Sequence, residues 1–399
     1  MTRLPLLLLI PAMAGCDLRS DEDVLRDAVA GQLDPSTPTT PEQDKPTTDS
    51  SALEAVIPKT ASGRAPVPAR TPKTQRLEVV ADSWASRGDA AAYSTVTFGN
   101  SGSVWMVVAD ADPVALTSAD AFSPTVVRMT DTAVEFLDMP ASDPAKVYPP
   151  EPDTDPIRLM SVPRGGGKAT EIVNLRTTDQ VARAGAWTYA PAGTGPSTSA
   201  KRMPLVARGP SDQTIELGNR SGTVEDLLVT PSSLVWTVHV RGVSNLERPR
   251  TQLWITALDD DGRPASVSAP AYEGSAWPTW LAHLDGTVFA ITNGTMNASF
   301  NDGTLSRWDP KTSTFVPKVV GVQSTSIEAL VATDDALCWS AGHGDFGLYC
   351  YRPASDTLIE VTPMQGSGWL SAPTPFAGGL LWSERLKGGH PGATFFAVP

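Results

Sequence analysis

The C-terminal half of this chain repeats itself. One unit reads Leu234-Val235-Trp236-Thr237-Val238, then a loop, then Thr251 to Leu258. The next reads Thr287-Val288-Phe289-Ala290-Ile291, then Gly303 to Pro310. The third runs over Ala336 to Ser340 and Gly347 to Pro353, and the fourth over Gly379 to Ser383 and Ala393 to Val398. Each unit has a short apolar strand with an aromatic near its middle, a polar loop, and a second aromatic-bearing strand. A turn follows, such as Asp309-Pro310-Lys311-Thr312 or Arg352-Pro353-Ala354-Ser355, and then a weaker strand. The aromatics recur at roughly 40 to 55 residues, which is the period of a four-stranded propeller blade.

A lone four-stranded twisted sheet cannot cover both of its faces. Blades packed face to face around an axis bury them and leave only short edges. Alternating apolar residues and frequent Gly, Pro, Asp and Asn turns suit short antiparallel strands. No long stretch carries strong helical periodicity, which disfavours the α/β classes. The expected fold is therefore all-β: a single β-propeller over residues 75–399, with about seven four-stranded blades and six or eight as alternatives.

The N-terminal half is less regular. Ser103 to Val108 reads as the same inner strand, preceded by Ser94 to Gly99. Val126 to Met139 and Ile157 to Leu175 supply a second blade, interrupted by a proline-rich loop from Pro140 to Pro156. Ala186 to Tyr189, Met203 to Ala207 and Thr214 to Leu217 supply a third. The last unit ends at Pro399, soon after its third strand. Arg76-Leu77-Glu78-Val79-Val80 has strand composition and is expected to complete that blade and close the ring.

The first sixteen residues read as an export signal. Met1 and Arg3 make a basic start, Leu4 to Ala14 are apolar, and Ala14-Gly15-Cys16 closes the stretch. About eleven apolar residues are too few to span a bilayer, which takes about twenty. The segment resembles the lipobox of bacterial lipoproteins, with Met13 where that family usually has Leu. The resemblance implies a signal peptide over 1–15, lipidation of Cys16, and a membrane anchor in the bacterial cell envelope. An ordinary secretory signal with a chance cysteine is the alternative. Asp17 resembles the inner-membrane retention signal of enterobacterial lipoproteins.

Asp21 to Leu33 places Val24, Leu25, Ala28, Val29 and Leu33 at helical spacing, as a short helix or a polar mobile stretch. Asp34 to Thr74 is dominated by Pro, Thr, Ser and Ala, and buries too little apolar surface to offset its ordering entropy. Residues 16–74 are therefore expected to form a disordered tether, with a reach of about 35 Å for roughly forty residues.

The formal charge is -13, and losing residues 1–15 removes only Arg3. An acidic chain without a basic run is a poor nucleic-acid binder, because phosphate contact needs clustered Lys and Arg. Three cysteines are present. With Cys16 taken by lipid, Cys338 and Cys350 remain, on strands that flank the glycine-rich loop Ala341 to Phe346. If Ser340 pairs with Leu348, Cys338 faces Cys350 closely enough for a disulfide. Two separate buried thiols are the alternative.

No linear catalytic motif stands out. His239, His283, His343 and His390 show no HExxH or other metal-ligand spacing, so loop or surface positions are expected, with no metal and no cofactor. Asp259-Asp260-Asp261-Gly262 is contiguous where calcium loops alternate their ligands, and reads as a solvated hairpin turn. Asp334-Asp335, Asp110 and Asp112 read as turns too. No GxSxG elbow occurs, Gly366-Ser367-Gly368 reads as a loop, and His343 with Asp345 lacks a positioned serine. Gly165-Gly166-Gly167-Lys168 misses the phosphate-loop spacing and reads as a hairpin turn. The N-x-S/T triplets at Asn219, Asn293 and Asn297 read as coincidence.

Trp236, Trp339 and Trp382 are expected to pack between blades. Trp277, Trp280 and Trp369 lie near blade junctions beside glycine or proline; facing solvent, they would line a groove for a glycan or peptide. The repeat region resembles bacterial propellers of the WD-repeat, YVTN-type and quinoprotein-like kind over about 300 residues. It lacks the Gly-His and Trp-Asp marks of WD repeats, and Trp308-Asp309 is a lone occurrence, so no family's functional residues carry over. The resulting expectation is a monomeric, membrane-anchored, non-catalytic protein that binds an envelope protein, peptide or glycan and no nucleic acid. The alternatives are an envelope hydrolase or lyase with its site at the central mouth, and a scaffold in outer-membrane assembly.

Overall fold

In a computed structural model the chain is described over residues 58–68, 75–77, 81, 83–95, 102–109, 111–117, 122–140, 157–176, 180–191, 204–218, 222–240, 250–293, 303–322, 329–341, 345–366, 368–370, 373–386 and 393–397. Seven antiparallel sheets stand in a ring and make a seven-bladed β-propeller, as the repeat period predicts. From the channel outward, blade one is Ser83–Arg87, Ala90–Thr95, Ser103–Val108 and Val114–Ala115. Blade two is Phe122–Met129, Ala133–Pro140, Ile157–Pro163 and Thr170–Arg176. Blade three is Ala182–Ala184, Trp187–Pro191, Leu205–Arg208 and Thr214–Leu217. Blade four is Thr223–Val229, Ser233–Val240, Arg250–Ala257 and Tyr272–Gly274. Blade five is Trp277–Leu284, Thr287–Asn293, Gly303–Asp309 and Thr314–Val322. Blade six is Leu330–Ala332, Leu337–Ala341, Asp345–Arg352 and Thr357–Gly366. Blade seven pairs Gly368–Leu370 and Thr374–Phe376 with Gly379–Leu386, then adds Ala393–Ala397.

The outermost strand of blade seven comes from the other end of the chain. Gln75, Arg76 and Leu77 pair with Phe396, Phe395 and Thr394. The expected closure is present over these residues; Glu78 to Val80 lie outside the described residues.

The C-terminal blades begin one strand earlier than the repeat suggests. Leu234 to Val238 and Ser103 to Val108 are second and third strands, not inner ones. Two of the missed inner strands carry register shifts, between Val224 and Asp226 and between Thr279 and Ala282. A bulge inserts a residue and breaks the two-residue alternation by which a strand is recognised.

The expected tether ends sooner than Thr74. Lys59–Thr60 pairs antiparallel with the outer strand of blade five, and Val67–Pro68 pairs parallel with that of blade six. Between them the Ser62 hydroxyl donates to Asp356 at 2.8 Å, and the Tyr351 hydroxyl donates to the same carboxylate at 2.9 Å. Backbone pairing and polar contacts hold this strap to the sheet edges, so its apolar content is a poor guide to its order.

The core lies between blades. Phe289, Ile291 and Leu305 of blade five meet Leu337, Trp339 and Tyr349 of blade six. Trp236 stacks on Trp254 with ring centroids 5.7 Å apart, against Trp187 and Leu205 of blade three. Trp236, Trp339 and Trp382 are all buried, as expected of inter-blade packing. Each large apolar side chain so covered contributes about 1.5–3 kcal/mol. Cys338 stands opposite Cys350 in the register that pairs Ser340 with Leu348, and the two are joined in a disulfide with Cα atoms 4.1 Å apart.

The Asp259 to Gly262 turn is more than a solvated hairpin. The Asp259 carboxylate accepts from the N–H groups of Asp261 and Arg263, at 3.1 and 2.7 Å. Gly262 is buried against blade three, where the Tyr189 hydroxyl donates to its carbonyl and Ala186 N–H donates to Asp261 O.

Candidate polar sites on the inner strands

Antiparallel strands place the first-to-second and third-to-fourth connections at one end of the ring, here the turn end. The second-to-third and blade-to-blade connections lie at the other, the loop end. Two polar groups line the inner strands, one toward each end.

Toward the loop end, His239 sits near the finish of the second strand of blade four, opposite Thr223. Its Nδ1 lies 3.7 Å from Oε1 of Glu225, on the bulged inner strand. Its ring centroid lies 4.2 Å from that of Trp277, the first residue of the inner strand of blade five. His239 is buried, whereas Trp277 is half-buried and the Glu225 side chain is 32% exposed. An imidazole beside a carboxylate can give and take protons, and a half-open indole offers an apolar face. Gly222 admits this packing, since a Cβ there would collide with the His239 carbonyl and the Val238 side chain.

Neighbouring groups fix these strands. Gln180 of the blade-three side donates to the Glu225 carbonyl at 3.0 Å. The Asp226 carboxylate accepts from Leu281 N–H of blade five at 2.5 Å and from Leu227 N–H at 2.8 Å. Burial pushes the Asp226 carboxyl up to about 6, against the opposing pull of those two backbone donors. With both oxygens engaged by backbone, Asp226 joins blades rather than serving as a free acid.

Toward the turn end, blades two and three share a second group. Glu135 is buried and accepts from Arg183 at 2.5 Å, with Arg128 at 3.7 Å. They line a cavity of about 350 Å³ together with Val127, Leu159, Val181 and Val229. Nearby on blade two, Asp138 pairs with Arg158 at 2.5 Å, and burial raises its carboxyl above the ordinary value even so.

The structure separates the tryptophans that the sequence groups together. Trp277 faces His239 of blade four. Trp280, at a φ of 54°, packs against the core between blades five and six. A register shift between Thr279 and Ala282 falls at Trp280. Trp369 belongs to the short strand Gly368–Leu370, and its side chain lies outside the described residues, as do Cys16, His343 and His390. His283 is half-buried on the inner strand of blade five. His239, expected on a loop or surface, is instead buried in a strand; its place inside the apolar run Leu234 to Val240 was the available signal. Glu225, Arg128, Glu135 and Arg183 gave no such signal, because their partners lie on other strands or blades. Among the described residues no three His, Cys, Asp or Glu side chains come together as a metal site.

No protein-family model matches this chain, and no curated protein matches it either. Solved structures do resemble it in fold. The β-propeller domain of the Trilobed protease from Pyrococcus furiosus is 10% identical, covers 80% of this chain and 97% of its own, and has a TM-score of 0.52. An oligogalacturonate lyase from Vibrio parahaemolyticus is 11% identical, with 85% and 96% covered and a TM-score of 0.53. The acylaminoacyl peptidase of Pyrococcus horikoshii is 11% identical, with 79% of this chain but only 50% of the peptidase covered, at a TM-score of 0.50. The protease propeller is described as having an open velcro topology, whereas Gln75–Leu77 closes the last blade here. These neighbours correct the expectation of a non-catalytic binding protein: by description they are enzymes or parts of enzymes, and the lyase is matched over nearly its whole length. The absence of a linear motif is a weak guide in such a ring, because the groups that meet there come from separate blades.

Proposed function

We propose that this chain is a propeller enzyme that cleaves a saccharide by elimination or hydrolysis at the loop end of blades four and five. The observation that carries this reading is the meeting of Glu225, His239 and Trp277 across a blade boundary. In this reading His239 is the acid–base group, Glu225 holds its ring in position, and Trp277 stacks against a sugar ring. In an elimination the base takes the proton beside a uronate carboxyl, the β-linked oxygen departs and is protonated, and a double bond remains. In a hydrolysis water adds across the same linkage. The fold shared with a lyase matched over 96% of its length supports the propeller itself as the seat of chemistry. The lipobox resemblance further supports an enzyme held in the bacterial envelope through Cys16.

The test is incubation of the whole chain with uronate-bearing and neutral polysaccharides. The ultraviolet absorbance of an unsaturated product marks elimination, and new reducing ends without it mark hydrolysis. His239→Gln is expected to lower turnover by about 10²- to 10⁴-fold with the melting temperature retained. Turnover unchanged in that variant, or no cleavage of any polysaccharide, sinks the reading.

A further inference from the structure

The cavity between blades two and three stands apart from the His239 reading and has its own chemistry. Of Glu135's two oxygens, Oε1 takes Arg183, while Oε2 is buried without a hydrogen-bond partner among the described residues. Only Arg128 approaches Oε2, at 3.7 Å. The Arg183 Nε–H is also buried without an acceptor among the described residues. A salt bridge that merely ties blade two to blade three accounts for the contact between Arg183 and Oε1. It leaves a buried acceptor and a buried donor without hydrogen bonds, beside a second guanidinium that approaches only within ion-pair distance, and each unmatched buried group is costly.

We propose that this cavity is a binding site for a small hydroxy acid: one carboxylate, a hydroxyl beside it, and an apolar body. Two guanidiniums against one carboxylate leave a single positive charge in excess, which a monoanion neutralises. The ligand carboxylate accepts from Arg128 and from Arg183 Nε–H, as charge-assisted bonds. The adjacent hydroxyl donates to Glu135 Oε2. Val127, Leu159, Val181 and Val229 line the remainder and suit a branched aliphatic body. A volume of about 350 Å³ falls in the range of small-molecule sites. The Arg128 side chain is 38% exposed, so solvent reaches the cavity at that residue.

Titration calorimetry on the whole chain tests this with leucic acid, the hydroxy-acid analogue of leucine. Two comparisons isolate its groups: isocaproic acid lacks the hydroxyl, and the corresponding diol lacks the carboxylate. Leucic acid is expected to bind, isocaproic acid about tenfold more weakly, and the diol not at all. Arg128→Gln is expected to weaken leucic acid by at least about tenfold, and Val229→Phe to fill the cavity and remove binding. No binding of leucic acid, equal binding of the diol, or unchanged affinity in Arg128→Gln overturns the proposal. The readout is binding alone, so it is decided separately from any cleavage by the His239 group.

Discussion

The backbone N–H of Leu281 in blade five donates to the Asp226 carboxylate of blade four at 2.5 Å, across 55 residues of chain. The contact spans a seam between two inner strands, and its acceptor is a carboxyl that burial raises from 3.8 to about 6. The folded state therefore holds that proton more tightly than the unfolded chain does. Stability from this group is full below about pH 4, falls as pH rises toward about 6, and is flat above. The displacement corresponds to on the order of 3 kcal/mol. Asp226→Asn removes the charge and keeps one oxygen as acceptor, giving up one of the two backbone bonds. Urea unfolding between pH 4 and 7 should show a shallower pH slope in the variant than in the parent. An unchanged pH slope in the variant would show that Asp226 does not carry the pH dependence.

Gly262 joins the third-to-fourth turn of blade four to the first turn of blade three. Its φ is +83°, and a Cβ would collide with the Ala184 carbonyl. Gly262→Ala should cost about 2–4 kcal/mol. Gly88→Ala is the control: its φ is +64° but nothing lies within 4 Å, so only the conformational term of about 1 kcal/mol applies. Equal melting temperatures for the two variants would remove the role given to the close approach.

The described contacts of the strap begin at Lys59, and the closing strand ends at Leu77. Removing residues 1–57 leaves all of them, whereas removing 1–77 strips the outer edges of blades five and six and opens blade seven. Calorimetry should show the longer deletion melting at least about 5 °C below the shorter one. Coincident transitions would mean that closure contributes nothing to stability.

Membrane attachment through Cys16 has a direct check. Cys16→Ser should move the protein from the membrane fraction to the soluble fraction, because stable anchoring depends on the acyl chains. Continued sedimentation with membranes would discard the lipobox reading.

The fold was legible because its causes are local. A strand such as Leu234 to Val240 announces itself by apolar content, and the roughly 40- to 55-residue spacing of its successors names the blade. The facing of Cys338 and Cys350 followed from one register, since a hairpin over a short loop leaves few alternatives. The inner strands were harder to see, because bulges near Val224 and Thr279 break alternation. The strap at Lys59 was missed for another reason: its partners, Val319 and Val320, lie about 260 residues away.

The candidate sites were not legible in the same way. Trp277 was singled out by its place at a blade junction, but nothing in the sequence joined it to His239 or Glu225, and Arg128 and Arg183 belong to different blades. The sequence by itself determined the blade period, the hairpin that sets the disulfide, and the strand that closes the ring, because each depends on residue pattern or on pairing within a blade. Tertiary structure alone decided that Glu225, His239 and Trp277 meet, and that Arg128 and Arg183 converge on Glu135. Those meetings depend on how one twisted sheet packs against the next, and that angle is set by many side chains jointly rather than by any motif along the chain.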